Sequence, residues 1–285
     1  FGDKVIFQNA NFFINKGDKM GVVGVNGAGK STLLKIINKE IFYDTGSYQI
    51  NPKVKLGYLD QKALIDSDKN VIDYLRESFQ YLFDADAKLS GCYEKMAVST
   101  SEEELLNLND QIESLMTYLQ NNDFYSIESK IFRVAEGLGI TDFGLETKVR
   151  TLSGGQRAKV RLAKLLLEKP DVMLLDEPTN FLDVSHIDWL SNYLLNFDGT
   201  FVVVSHDENF LAKVTNCICD IDNKVITRYN LGFKEYESAK VLAKDQQQRN
   251  YDRQQKKIDS MTKLIDRFRY KATKASMVQS RIKVL

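Results

Sequence analysis

A glycine-rich segment near the start of the chain, GVNGAGKST at Gly24–Thr32, has the residue types and spacing that can hold a triphosphate. Glycines let successive backbone amides turn inward, and the helix that follows adds the positive end of its dipole. Lys30 is expected to reach the β- and γ-phosphates, and the Ser31 hydroxyl is a candidate Mg²⁺ ligand. An ordinary glycine-rich turn is disfavoured because lysine, hydroxyl, strand and helix coincide. The predicted nucleotide contacts are Gly24, Asn26, Gly27, Ala28, Gly29, Lys30, Ser31 and Thr32.

A pair of carboxylates supplies the second half of the predicted site. The segment VMLLDEP, Val172–Pro178, has four apolar residues that form a buried strand and then aim Asp176 at the Mg²⁺ shell. Glu177 is placed to take a proton from an attacking water or to orient it. Alone, such a pair is more often a strand end that meets solvent. The phosphate-binding loop is what favours the catalytic interpretation.

The elements around these motifs alternate between strand and helix. Helices are predicted from Lys30 to Lys39, Leu152 to Glu168 and His186 to Asn196. The strand-like runs are Val5–Phe7, Ala10–Ile14, Lys19–Val23, Ser47–Ile50, Val54–Leu59, Val172–Leu175 and Phe201–Val204. This order predicts an α/β fold with a mostly parallel sheet and helices on both faces.

Glycine and proline nearly vanish between about residues 62 and 123, where apolar residues recur at helical spacing. We expect an inserted helical hairpin there. Ser101 with Glu104 predicts a capping box at the start of its second helix. The apolar positions of that helix are Leu105, Leu108, Ile112, Leu115 and Leu119. Another helix is predicted from Phe124 to Gly139.

The tail of the chain differs in composition from the body. There is no Gly or Pro after Gly232, which predicts a long helix or a helix pair. Twelve Lys/Arg stand against four Asp/Glu between Lys244 and Leu285, so a polyanionic partner is indicated. Apolar residues at coiled-coil spacing form a stripe along this helix, which predicts that it packs against a partner helix. Its members are Tyr251, Ile258, Met261, Ile265, Phe268, Ala272, Ala275 and Ile282.

Composition narrows the class of protein. A hydrophobic content of 43% over 285 residues is enough to bury a sizeable core. The absence of a long apolar run or a signal-like start favours a soluble protein without membrane spans. Cys92, Cys217 and Cys219 fit neither disulfide pairing nor metal-ligand spacing, which favours a reducing cytoplasm. Cys217 and Cys219 would face one side of a strand and are expected to pack there.

A further segment, LSGGQ at Leu152–Gln156, lies shortly before VMLLDEP, and with it the chain resembles an ATP-binding cassette domain. LSGGQ is the signature motif of that family. Ser153 is a good N-cap, and Gly154 and Gly155 expose a helix N-terminus to an anion. The resemblance implies that this anion is the γ-phosphate of ATP held by a second cassette. Ser153, Gly154, Gly155 and Gln156 would then complete the partner's site.

Four further residues match positions that the family uses. The resemblance implies that Gln61 in GYLDQ senses Mg²⁺ and the attacking water, although a solvated turn is the plain alternative. His206 in VVVSHD matches the switch histidine that contacts the γ-phosphate; without the motif, a structural histidine would be favoured. Asp183 in TNFLD matches the loop that couples two sites. Phe1 matches the aromatic residue that stacks on adenine.

Within this family the chain is most similar to the ABC-F group, whose members act on ribosomes and carry two cassettes on one chain. The resemblance depends on LSGGQRAKVRLAKLLLEKPDVMLLDEPTNFLD, VVVSHDENFL, the helical insertion after Gln61 and the stretch RFRYKATKASMVQSRIKVL. That last stretch resembles the linker between cassettes, whose tip reaches the peptidyl tRNA. The chain departs from the group at Phe181, where His is usual, and at Glu208, where Arg is usual.

The resulting domain prediction is a cassette at residues 1–236 with a helical arm at about 62–123, followed by a truncated basic linker helix at 237–285. The cassette is a P-loop NTPase core with a β-subdomain. The implied cofactors are ATP and Mg²⁺. The implied partners are a second cassette, in the same full-length chain or in a homodimer, and the ribosome with its rRNA and tRNA. Arg267, Arg269, Lys271 and Lys274 are the expected RNA contacts. Composition alone would favour a solvated, lysine-rich coiled-coil face, and the resemblance to the linker is what favours RNA.

Other classes of protein share part of this pattern. The main alternative is the ATPase subunit of a membrane transporter, because the nucleotide motifs are common to both. Such a subunit rarely ends in a long basic helix. A chromosome-maintenance ATPase is disfavoured because the insertion is too short. A purely structural module is hard to reconcile with Lys30, Asp176 and Glu177.

Overall fold

The computed structural model of this chain describes residues 5–60, 67–268 and 279–280. The chain divides into two compact units, Phe1–Phe233 and Lys234–Leu285. The first unit contains the sheet and most of the helices, and the second contains most of one long helix.

The first unit is built on a six-stranded sheet with the order β2-β3-β4-β1-β5-β6. All neighbours are parallel except β5 and β6, which form an antiparallel hairpin. Val204 lies opposite both Val22 of β1 and Asp176 of β3, so these three strands end at one edge. The strands are β1 Lys19–Gly24, β2 Leu56–Leu59, β3 Val172–Asp176, β4 Thr200–Val204, β5 Cys217–Asp222 and β6 Val225–Tyr229.

Nine helices are present in the described part of the chain. They are α1 Lys30–Ile37, α2 Val71–Arg76, α3 Gln80–Val98, α4 Glu102–Asn121, α5 Ile127–Gly137, α6 Gly154–Glu168, α7 Val184–Leu195, α8 Glu208–Val214 and α9 Phe233–Phe268. Short 3-10 turns at Glu77–Phe79 and Val149–Thr151 lead into α3 and towards α6. The predicted alternation of strands and helices is therefore confirmed.

The core of the first unit lies where α1 covers the sheet. Leu34 of α1 is fully buried against Val22, Leu174 and Val202 of the three central strands. Burying apolar side chains of this size stabilises the fold by about 1.5–3 kcal/mol each. Cys217 and Cys219 are free thiols in this same core, which confirms their expected packing role. Burial raises the pKa of Cys217 to about 11 and that of Cys219 to about 12.

Three of the expected strands do not form. The segments at 5–7, 10–14 and 47–50 are extended or irregular, so the predicted β-subdomain is not present as a paired sheet among the described residues. A strand needs a neighbour that satisfies its N–H and C=O groups along a ladder. The N-terminal segment instead makes one backbone bond towards the sheet, from Gln8 N–H to the Lys224 carbonyl at 3.0 Å.

Sequence reasoning missed the hairpin of β5 and β6. Its turn residues Asn223 and Lys224 both adopt left-handed backbone conformations, with φ of 49° and 68°. Two such residues are what a tight two-residue hairpin requires, and asparagine tolerates this conformation well. Asn223 between two apolar runs was the available signal.

The predicted helical insertion is present as α3 and α4, here called the helical arm (residues 80–121), which pack against each other. Leu108, Ile112 and Leu119 are buried along α4, as their spacing predicts. The predicted capping box is wrong. Ser101 occupies the N-cap, but its side chain accepts no capping hydrogen bond. The Ser99 hydroxyl donates to the Glu104 carboxylate at 2.6 Å, whereas a capping box requires that carboxylate to accept from the Ser101 N–H.

The second unit contains the long helix predicted for the tail, α9, which spans 36 residues. Tyr251 and Ile258 of its apolar stripe are exposed, so no described segment covers them. Of the four expected RNA contacts, Arg267 lies within α9, whereas Arg269, Lys271 and Lys274 lie outside the described residues. No helix in the described ranges is both long and apolar enough to cross a membrane.

The contact between α5 and α7 gives a test of the fold. A Cβ added at Gly137 would overlap the indole ring of Trp189, whereas one added at Gly91 of the arm would meet open space. We expect Gly137→Ala to lower the free energy of unfolding by about 1–3 kcal/mol through overpacking. Gly91→Ala should raise it by about 0.5–1 kcal/mol because alanine favours helix. Denaturant unfolding measures both, and an equal effect of the two substitutions would contradict this packing.

Candidate functional site

The predicted phosphate-binding loop lies between β1 and α1 and depends on glycine at two positions. At Gly24, with φ of 151°, a Cβ would stand 2.6 Å from the Ile221 carbonyl oxygen. Gly29 is the N-cap of α1 at φ of 107°, and its Cβ would stand 2.6 Å from the Ile6 side chain. Such conformations cost glycine little. The tip of the loop, Asn26 and Gly27, is exposed.

Lys30 begins α1 and is buried, with 9% of its surface exposed. Its Nζ donates to the backbone carbonyls of Gly24 at 2.9 Å and Val25 at 3.4 Å. A buried ammonium needs oxygen partners, and here the loop itself provides them. The charge is therefore held over the loop, at the N-terminal end of α1 where the helix dipole also favours an anion.

Ser31 and Asp176 bring the loop and β3 together. The Ser31 hydroxyl donates to Asp176 Oδ1 at 3.1 Å, although the two residues are far apart in sequence. Burial raises the pKa of Asp176, while the bond from Ser31 lowers it. These neighbouring oxygens suit Mg²⁺, which proteins hold through one or two carboxylates together with phosphate oxygens and water. Among the described residues no group of three or more His, Cys, Asp or Glu could by itself hold a metal ion.

Glu177 occupies a left-handed backbone conformation with φ of 51°, which is uncommon for a residue other than glycine. Its N–H donates to the Val204 carbonyl at 2.9 Å, so the end of β4 holds this turn. Burial raises the pKa of the Glu177 carboxyl, and the nearby His206 lowers it. A carboxylate whose pKa is raised is better matched to proton transfer near neutral pH.

His206 lies directly against Glu177. Its Nε2 is 3.4 Å from one carboxylate oxygen, and its backbone N–H donates to the other at 3.3 Å. The imidazole is mostly exposed, with 61% of the side chain accessible. A buried hydrogen bond of 3.2 Å between the hydroxyls of Thr179 and Ser205 joins the same two loops. Sequence reasoning missed this pair, although a hydroxyl residue stands close to each motif.

The signature segment at the start of α6 is closed by a capping box. The Ser153 hydroxyl accepts from the Gln156 N–H at 3.3 Å, and the Gln156 side chain accepts from the Ser153 N–H at 2.8 Å. A Cβ at Gly154 would meet open space, whereas one at Gly155 would stand 3.3 Å from the Phe181 ring. No hydrogen bond within the described ranges joins this segment to the phosphate-binding loop. Gln156 is thus occupied in capping its own helix.

Asp183 is the N-cap of α7 and is exposed, without a capping bond from its side chain. Its carboxylate is 3.7 Å from His186 Nε2, and the other ring nitrogen of His186 is 3.0 Å from the Gly137 carbonyl. His186 was missed because nothing in its local sequence marks it. The predicted residues Phe1 and Gln61 lie outside the described residues.

Two family models and several known proteins match this chain. A family model described as ABC transporter matches residues 7–180, and a second model with the same description matches residues 219–285. The chain is 40% identical over its full length to the uncharacterized ABC transporter ATP-binding protein YfmM of Bacillus subtilis, of which it covers 55%. It is 34% identical over its full length to the probable ATP-binding protein YheS of Escherichia coli K12, of which it covers 43%.

The ATP-binding protein Uup of Haemophilus influenzae is 36% identical over 84% of this chain, which covers 36% of that protein. The chain thus spans about half or less of these relatives. The fold matches a solved ATP-binding subunit of an ABC transporter with a TM-score of 0.58 at 16% identity, over 81% of this chain and 86% of that one. A complex of archaeal ribosomal stalk protein aP1 with ribosome recycling factor aABCE1 contains a similar fold, with a TM-score of 0.54 at 22% identity over 81% of this chain and 37% of the matched one.

The family models, the sequence motifs and the fold all indicate the same protein family. Membership of this family carries ATP binding with it, and Lys30, Ser31, Asp176 and Glu177 meet at one edge of the sheet, as the nucleotide motifs predict. The chain belongs to the ATP-binding cassette family and, within it, to the ABC-F group.

Proposed function

We propose that this chain binds Mg-ATP, hydrolyses it together with a second cassette, and acts in the cytoplasm on the ribosome. The observation that carries the ATPase proposal is the contact of Ser31 with Asp176, which joins the phosphate-binding loop to the carboxylates. The buried Cys217 and Cys219 thiols agree with a reducing compartment.

Lys30 is proposed to neutralise the β- and γ-phosphates. Its ammonium exchanges the Gly24 and Val25 carbonyls for phosphate oxygens, which accept stronger, charge-assisted hydrogen bonds. The remaining loop residues, Asn26, Gly27, Ala28, Gly29 and Thr32, direct backbone and side-chain donors at the same anion. Ser31 and Asp176 would hold Mg²⁺, which would offset part of the negative charge of the phosphates.

Glu177 is proposed as the group that orients the attacking water and accepts its proton. Its side chain is 10% exposed, which keeps bulk water away from the carboxylate. His206 holds both carboxylate oxygens and so fixes where they point. Gln61 and Phe1 keep the roles that the resemblance implies, at the Mg²⁺ and at adenine.

The second cassette is needed because of the signature segment. Ser153, Gly154 and Gly155 present helix N-terminal amides, and they make no bond to this chain's own loop within the described residues. Amides of this kind bind anions. We therefore assign them to the ATP of the opposing cassette. The exposed Asp183 is assigned to communication between the two sites.

Action on the ribosome is supported by membership of the ABC-F group and by the basic tail. The alternative is the ATPase subunit of a membrane transporter, which the family description ABC transporter favours. Copurification separates the two: the proposal expects the full-length protein with ribosomes in a salt-dependent manner, whereas the alternative expects it with membranes.

The first prediction concerns nucleotide affinity. Lys30→Ala should weaken Mg-ATP binding by about 10- to 100-fold, because a hydrogen bond to a charged group contributes about 1.5–3 kcal/mol. Lys16→Ala, at an exposed position before β1, is the matched control and should have no effect. Asp176→Asn should impair Mg²⁺ dependence more than nucleotide binding without metal. Calorimetric titration with and without Mg²⁺ measures this, and unchanged affinity in Lys30→Ala would reject the site.

The second prediction concerns the second cassette. Specific ATPase activity of the isolated chain should be low and should rise with protein concentration, because the opposing signature can come only from another copy. Glu177→Gln should still bind ATP and should increase ATP-dependent association in sedimentation experiments, since the amide keeps the shape but cannot accept the proton. Activity that stays high and constant on dilution would show that one cassette suffices.

The third prediction concerns RNA. Replacing Arg267, Arg269, Lys271 and Lys274 together by Ala in the full-length protein should flatten the salt dependence of ribosome binding by about three to four log-log units. The physical reason is that each phosphate contact releases counterions on binding, so binding by the variant should release fewer of them. The control set, exposed lysines of the first unit, is Lys16, Lys53, Lys55 and Lys148. An unchanged slope in the first variant would place RNA recognition elsewhere.

A further inference from the structure

The segment that leads into the helical arm is paired with the segment that leads into the signature. Four backbone hydrogen bonds of 2.9–3.2 Å join residues 67–72 to residues 145–150. They run from Val71 to Thr147, Ile72 to Leu145, Val149 to Lys69 and Arg150 to Ser67. An isolated bridge between Asn70 and Lys148 lies in the same ladder. The two lead-in segments therefore behave as one small antiparallel unit.

A second connection lies at the far end of α2, where Glu77 meets Lys164 of α6. The Lys164 Nζ is 2.5 Å from one Glu77 oxygen, and the Lys69 Nζ is 2.7 Å from the other. The Lys164 ammonium also lies 4.1 Å from the centre of the Tyr74 ring. Only 20% of the Lys164 side chain is exposed, so water screens this pair less than it screens the ion pairs at the surface.

The arm is continuous with these contacts. The helices α2 and α3 and the 3-10 turn between them follow one another from residue 71 to 98 without an intervening loop. The Ser78 hydroxyl in that turn donates to the Lys164 carbonyl at 3.4 Å. At the other end of α6, the Arg157 guanidinium donates to the Arg150 carbonyl at 2.8 Å, which ties the first turn of α6 to the paired lead-in segments.

We propose that Glu77 and Lys164 are positioning residues that fix the signature helix to the root of the arm, so that the direction of the Gly154 and Gly155 amides follows the arm. The helix α6 is held at its first turn through Arg157 and again near Lys164. A displacement at the root of the arm is thus passed to the signature through two attachments. The catalytic consequence rests on the proposed two-cassette ATPase, whereas the mechanical coupling does not.

Hydrogen exchange tests the coupling without relying on ATPase activity. In Lys164→Gln, the amides of Arg157–Arg161 and of residues 69–72 should exchange about 10-fold faster, because a partly buried Glu77 loses its main counter-charge. Amides of α1 should not change. Lys164→Arg keeps the charge and should retain protection. Unaltered exchange at Arg157–Arg161 in Lys164→Gln, or equal loss in Lys164→Arg, would overturn the proposal.

A matched control is the neighbouring ion pair between Arg76 and Glu128, which joins α2 to α5 with 2.8 Å between Nε and Oε1 and does not involve α6. Arg76→Gln with Glu128→Gln should leave exchange in α6 unchanged. The same loss of protection in this double variant would show general loosening of the helices and would also overturn the proposal.

Steady-state kinetics then tests the consequence. Lys164→Gln should lower the ATPase rate at saturating ATP by about 10-fold. The affinity for ATP should stay within about 2-fold of the unmodified protein, because the substitution leaves the phosphate-binding loop of the same chain intact. A parallel loss of affinity would count against a positioning role. If activity does not depend on protein concentration but exchange changes as expected, the two-cassette function fails and the coupling stands.

Discussion

The parallel pairing of β1, β3 and β4 is the constraint on which the rest of the site depends. Parallel strands end at one edge, so the loop after Gly24, the carboxylate of Asp176 and the turn after Val204 must meet there. Their apolar residues are buried on both faces, which ties the strand register to the packing of α1 and the core. A slip of one residue would move Asp176 away from Ser31.

The charged groups at this edge are partnered by neighbours that a ligand can replace. Lys30 bonds loop carbonyls, Ser31 bonds Asp176, and Glu177 contacts His206. Leaving such groups buried and unpaired would cost several kcal/mol each, so these contacts stabilise the fold before nucleotide binds. The left-handed Glu177 is held by its bond to Val204, which indicates that the same strands that position the carboxylate also bear its backbone strain.

The arm and the signature are distant in sequence but adjacent in the fold. The partly buried Lys164 contacts Glu77 and Tyr74, and backbone hydrogen bonds join residues 67–72 to 145–150. These contacts make the root of the arm and α6 neighbours. Partly buried pairs of this kind gain more from geometry than exposed ones. The contact between α5 and α7 also joins residues that are distant in sequence. Because Gly137 has no Cβ, the Trp189 ring can pack against it, and the Gly137 carbonyl accepts a hydrogen bond from His186.

The sequence by itself determined the phosphate-binding loop, the carboxylate pair, the signature, the helical arm and the long tail helix, because each depends on local motifs or on periodicity within one segment. Only the tertiary structure decided the strand order, the missing ladders near the N-terminus and the failure of the Ser101 capping box, which Ser99 prevents. It also decided the contacts of His186, Glu77 and Lys164. These depend on partners far away in the chain, and no local pattern specifies which distant residue will satisfy a buried charge or a backbone hydrogen bond.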